Sequence, residues 1–187
     1  MQQNKRVKSI MFTVSLLGSF AIFPLALLCS FNMVNRMSAL YIWMACCFSV
    51  YLTSVLKSAY GEGRPFWESG DITPADCVLD LGNPSGHCLT ASFILLTLYL
   101  NQYYEVGRRQ VFRTIFCTGY IVKMGLTALL LSFLIMLMFS RVYLGEHSIN
   151  QVIFGTSIGV VLSVSMHYSL KPFLKRMPAY LRERAVS

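Results

Sequence analysis

Three short polar patches interrupt an otherwise apolar chain, and their side chains are of the types that handle an oxyanion. Lys57 is followed by Arg64-Pro65 in KSAYGEGRP, Pro84-Ser85-Gly86-His87 lies in GNPSGH, and Ser140-Arg141 precedes His147 in SRVYLGEH. Lys57, Arg64 and Arg141 supply three cations that can converge without a paired acid. Guanidinium groups match phosphate oxygens bidentately. Ser85 and Gly86 stand where a helix would begin, so backbone N–H groups and the positive end of a helix dipole point outward there. Gly86, without a Cβ, lets the backbone come close to an anion. Together these residues predict a cradle for a dianionic group.

The two histidines divide the chemistry. A phosphoryl group held by cations is open to in-line attack by a neutral imidazole nitrogen, which forms a covalent phosphohistidine. The departing alkoxide needs a proton, and a second imidazole that titrates near neutrality can give it. Three basic side chains can do the charge neutralisation that a divalent ion does elsewhere, so no metal and no cofactor are expected. The plainer reading of Lys57, an interfacial anchor whose stem lies along apolar surface, loses weight once the lysine is seen inside the three-patch set. Asp71, Asp76 and Asp80 read as loop-solvating or helix-capping acids.

In this order at the ends of apolar runs, KxxxxxxRP, PSGH and SRxxxxxH resemble the motifs of the type 2 phosphatidic acid phosphatase superfamily. That superfamily includes lipid phosphate phosphatases, dolichyl and undecaprenyl diphosphatases, glucose-6-phosphatase and the vanadate haloperoxidases. The likeness runs from Lys57 to about Gly155. It implies that Lys57, Arg64, Ser85, Gly86 and Arg141 hold phosphate, with Arg141 serving the catalytic set. It also implies that His87 is the acid and His147 the nucleophile. The implied activity is a metal-independent membrane phosphatase that hydrolyses a lipid phosphate or polyprenyl diphosphate. Two alternatives are a glucose-6-phosphatase-like hydrolase of a small soluble phosphoester and a non-catalytic lipid-phosphate binder. The chain is short for the first, and a binder has no use for the His87, Arg141 and His147 set. Many members place Asp four residues after the nucleophile, where this chain has Gln151. A glutamine carbonyl can still accept the imidazole N–H and fix the tautomer, though it adds no charge. Dolichyl diphosphatases and glucose-6-phosphatase resemble this chain in having Gln there.

The elements that must position these patches follow from hydropathy. Of 187 residues, 55% are hydrophobic and 13% charged, too apolar for a single soluble core. Apolar runs of about 20 residues cross a bilayer, and five stand out: Ser9–Phe31, Ser38–Leu56, Ser85–Tyr104, a long Val111–Phe139 and Ile149–Leu170. Pro24 is tolerated as a kink, and the first run is longer than a signal peptide's apolar stretch. The fold class is therefore all-α: a polytopic membrane bundle of about five transmembrane helices with the site at one interface. Residues 1–187 read as a single membrane-embedded domain with its motif core at 57–155, a loop at 58–84 and a basic tail at 171–187.

Five spans put loop 58–84 and the turn before His147 on one side. Arg36, Arg108, Arg109, Arg113 and the tail cations lie on the other, which the positive-inside rule makes cytoplasmic. The site then faces the lumen or the exterior, in the endoplasmic reticulum or the plasma membrane. The formal charge of +8 sits at span ends and not on a basic face interleaved with aromatics. The expected partners are therefore the bilayer and a phosphoester, and not nucleic acid.

Overall fold

A computed structural model describes residues 5–18, 36–106, 116–174 and 176. Among them every regular element is helical, with no strand. The long helices are α1 (Lys5–Leu17), α2 (Arg36–Tyr60), α4 (Gly86–Val106), α5 (Phe116–Tyr143) and α6 (Ile149–Ser165). A short α3 (Pro65–Glu68) lies in the loop, and a π-helical turn, Met166–Leu170, continues α6. Three stretches are long and apolar enough to span a membrane: Ala39–Glu68, Val122–Tyr143 and Ile149–Leu174. The apolar part of α4, Gly86–Asn101, is shorter. The fourth expected span is one continuous helix through Lys123, as the hydropathy predicts, and it runs on to Tyr143. The second half of the first run, residues 111–115 and most of the basic tail lie outside the described residues.

Helix α4 is the central member, packed most extensively on α6 and next on α2. Its contact with α6 is close because glycines face it. A Cβ on Gly155 would stand 2.7 Å from the Ser85 carbonyl oxygen, and one on Gly159 only 2.0 Å from Ser92 Oγ. Hydrogen bonds then fasten the pair: Ser92 Oγ donates to the Thr156 carbonyl at 3.3 Å and Thr97 Oγ1 to Ser163 Oγ at 3.1 Å. Apolar side chains fill the remaining space, with Tyr41, Ile42, Ile94 and Leu174 in one cluster and Cys88, Ala91, Leu134, Leu137 and Val152 in another. Outward, Tyr51, Leu129, Ile135, Phe139 and Val161 are exposed. A belt of that kind is stable against hydrocarbon and costly against water.

The helix ends that matter lie together at one end of the bundle. Helix α2 stops at Gly61, whose φ of +60° favours glycine. Helix α5 ends in a Schellman turn. Gly145 has φ +71°, its N–H reaches the Val142 carbonyl at 3.0 Å, and the Glu146 N–H reaches back to the Arg141 carbonyl at 3.2 Å. That bond folds Glu146 against Arg141. Two residues after Glu146, Ser148 caps α6 in a capping box with Gln151.

Candidate active site

A cavity of about 490 Å³ opens at this end. Lys57, Arg64, Gly86, His87, Arg141 and His147 all line it, drawn from α2, the loop, α4, α5 and the turn before α6. Ser85 and Gln151 are fully buried directly behind the wall. The Ser85 N–H donates to the Gln151 carbonyl at 3.1 Å, which ties the second motif to the third. Ser85 Oγ finds no oxygen or nitrogen partner among the described residues. Gly86 packs against α2, where a Cβ would meet Thr53 Cγ2 at 3.1 Å and Lys57 Cε at 3.8 Å. The eight residues singled out by type and spacing are thus gathered in one place.

The imidazole of His147 is held in a defined tautomer. Its Nδ1 lies 3.2 Å from Gln151 Oε1. The same oxygen accepts the Ser148 N–H at 3.2 Å, while Gln151 Nε2 donates to the Gly63 carbonyl at 2.8 Å. With its amide nitrogen so committed, the glutamine offers His147 only an acceptor, and Nδ1 carries the proton. The other nitrogen, Nε2, keeps its lone pair. Burial above all, then the Arg141 and Arg64 guanidinium groups, push the His147 pKa down to about 2. The ring is therefore neutral, as a nucleophile must be, across the physiological range.

The cations depart from the expectation that they stand without acids. Lys57 Nζ is paired with Asp80, and Arg141 Nη2 with Glu146. Arg64 donates from Nε to the Asp80 carbonyl at 2.6 Å and from Nη1 to the Glu146 carbonyl at 3.2 Å. Asp76, Asp80 and Glu146 all line the cavity, so the view of Asp76 and Asp80 as merely loop-solvating acids is corrected. The physical reason is that a buried cation needs a counter-charge. Asp71, by contrast, is exposed and away from the cavity. Among the described residues, no three His, Cys, Asp or Glu side chains cluster as metal ligands.

Helix α1 enters the site as well, unforeseen by sequence. Ser15 is buried and its Oγ accepts from Arg141 Nη1, while Phe12 and Leu16 add apolar wall. Nothing local to Ser15 marks it, since its partner lies far along the chain. Glu146 was legible in principle, because Gly145 after an apolar helix signals a Schellman turn.

The PAP2 superfamily model matches residues 38–174. The chain belongs to the PAP2 superfamily. Two solved structures share the PAP2 fold seen here. One is a transmembrane PAP2-type phosphatidylglycerolphosphate phosphatase from Bacillus subtilis, with TM-score 0.74 and 19% identity over 94% of this chain and 81% of that one. The other is Aquifex aeolicus LpxE, with TM-score 0.66 and 17% identity over 87% of this chain and 86% of that one. No curated protein matches at a significant level. The PAP2 fold and the apolar spans make this an integral membrane protein.

One position in this PAP2 site tolerates no side chain. A Cβ on Gly82 would stand 2.6 Å from the Gly63 carbonyl oxygen and 2.7 Å from Gln151 Nε2. Gly82→Ala should therefore push Gln151 off the Gly63 carbonyl and loosen its hold on His147. A misplacement of about 1 Å can cost about 10²-fold in rate. The expected result is such a fall in kcat with little change in KM, measured on any phosphoester turned over by the wild type. Wild-type kcat in Gly82→Ala would show that Gln151 does not set the imidazole.

Proposed function

We propose that this PAP2 protein is a metal-independent phosphatase of a lipid phosphate or polyprenyl diphosphate, working through a phosphohistidine. The observation that carries this is the shared cavity: His147, fixed by Gln151 with a free Nε2, and His87 both face it among Lys57, Arg64 and Arg141. Lys57, Arg64, Arg141, the Gly86 N–H and the Ser85 hydroxyl bind the phosphoryl oxygens. His147 Nε2 attacks the terminal phosphorus in line, the P–O bond to the leaving group breaks (the alcohol of a monophosphate, the lipid monophosphate of a diphosphate), and His87 donates a proton to the leaving oxygen. A water then attacks the phosphohistidine, His87 takes its proton, and inorganic phosphate leaves with His147 regenerated. The position of the cavity at the bundle end suits a headgroup whose chain stays in the bilayer. That end is read as lumenal or extracytoplasmic, in the endoplasmic reticulum or the plasma membrane. Residues 1–187 are read as one membrane-embedded unit.

The deciding experiment is phosphate release by the purified protein from a panel of lipid monophosphates, polyprenyl diphosphates and sugar phosphates, with EDTA present. Release from the lipid members, unaffected by EDTA and blocked by vanadate, is the expected result. Activity lost in EDTA and restored by Mg²⁺ would overturn the metal-free mechanism. Turnover confined to sugar phosphates would move the substrate to the soluble class.

A further inference from the structure

Two of the acids on the cavity wall are held very differently. Glu146 and Arg141 are both enclosed, their side chains 5% and 4% exposed, and the Schellman turn returns the acid to the arginine. That pair is fixed by the backbone. Asp80 lies on the loop with its side chain 53% exposed, yet its carboxylate contacts a lysine that is only 11% exposed. It also stands 3.9 Å from Arg64 Nη2. The backbone at Asp80 is anchored separately, by the Arg64 Nε bond to its carbonyl at 2.6 Å. The carboxylate can therefore swing out by side-chain rotation while the loop stays in place.

An anionic oxygen between Lys57 and Arg64 is what the cradle is built to accept. We propose that Asp80 is the resident anion of the phosphate site, occupying the place of a phosphoryl oxygen and displaced when phosphate binds. The proposal rests on reading the cavity as the phosphate site and deepens that reading. Its physical basis is charge compensation. An enclosed ammonium without a counter-ion is costly, and an exchange of one anion for another leaves Lys57 compensated at every stage. The same exchange weakens the hold on product, since the returning carboxylate competes with inorganic phosphate for Lys57. Asp80 is thus a determinant of affinity and of product release, distinct from the groups that carry out the reaction.

The test is equilibrium binding of radiolabelled inorganic phosphate to the full-length protein in detergent micelles. Asp80→Asn removes the charge at nearly constant shape, and Asp80→Ser does so with a smaller side chain. Asp71→Asn removes an exposed charge from the same loop outside the cavity. Both Asp80 variants should bind phosphate more tightly, by about 5-fold, the scale of one partly exposed ion pair. Asp71→Asn should bind as wild type does. Equal or weaker binding in both Asp80 variants would overturn the proposal and make the carboxylate a positioning group for Lys57. So would failure of both variants to fold, because a displaceable side chain cannot be indispensable to the fold. Lipid-phosphate hydrolysis by the wild type, measured in parallel, separates the two readings. Tighter phosphate binding in the variants beside a wild type that hydrolyses nothing would keep the resident anion and discard the phosphatase.

Discussion

His147→Ala is expected to abolish phosphate release from every ester, a loss of about 10⁴–10⁶-fold, because no other lining side chain is placed to attack phosphorus. The partner histidine should behave differently. His87→Ala removes a proton donor and leaves the nucleophile, so its cost depends on the leaving group. General acid catalysis contributes about 10²–10⁴-fold, and that factor should vanish on a lipid ester whose alkoxide leaves poorly. A nitrophenyl phosphate, whose anion leaves without help, should lose far less. Both variants on both substrates, with the labelled phosphoenzyme trapped under non-acidic quench, make the measurement. Equal losses at His87 on the two esters, or a phosphoenzyme that persists in His147→Ala, would reverse the roles.

The second large effect lies at Arg141. This residue serves the cavity and also compensates Glu146, which is 4% exposed. Arg141→Ala should therefore remove activity and cost about 3–5 kcal/mol of stability, the usual consequence of leaving one member of a buried pair alone. For a chain of this length that is about 10 °C in Tm. Glu146→Gln added to Arg141→Ala removes the stranded charge, so the double variant should regain most of the lost Tm and none of the lost activity. Thermal unfolding in detergent, read beside phosphate release, distinguishes the two contributions. A double variant as unstable as the single one would show that Arg141 stabilises by packing against Ser15 and its surroundings, and not by pairing with Glu146.

The helices were legible in the sequence because lipid-facing runs need no partner to announce themselves: Ser38–Leu56 and Ile149–Leu170 lie within the helical stretches 36–60 and 149–170. The motif residues were legible because their types have few other uses at span ends. The counter-charge of Lys57 was not. Asp80 meets Lys57 across 23 positions, and whether a loop acid folds into a cavity or out to water is decided by the loop's path, here through Gly82 against Gly63 and Gln151. Ser15 is a stronger case, 126 positions from Arg141. Its hydroxyl has the same local surroundings as any serine in an apolar helix, so only the packing of α1 on α5 gives it a role.

Gln151 restricts how this sequence can drift. Its side chain caps α6 through the Ser148 box, orients His147, and ties the loop at Gly63, all with one amide. An aspartate there, the residue many relatives carry, is a methylene shorter and has no N–H to give. It could accept from His147 only by abandoning the Gly63 carbonyl, and it would bring a second negative charge toward Glu62, whose Oε1 now lies 3.4 Å from Gln151 Nε2. A lineage passing from glutamine to aspartate would cross a valley unless the loop acid changed first. Glu62 and Gln151 are therefore expected to change together.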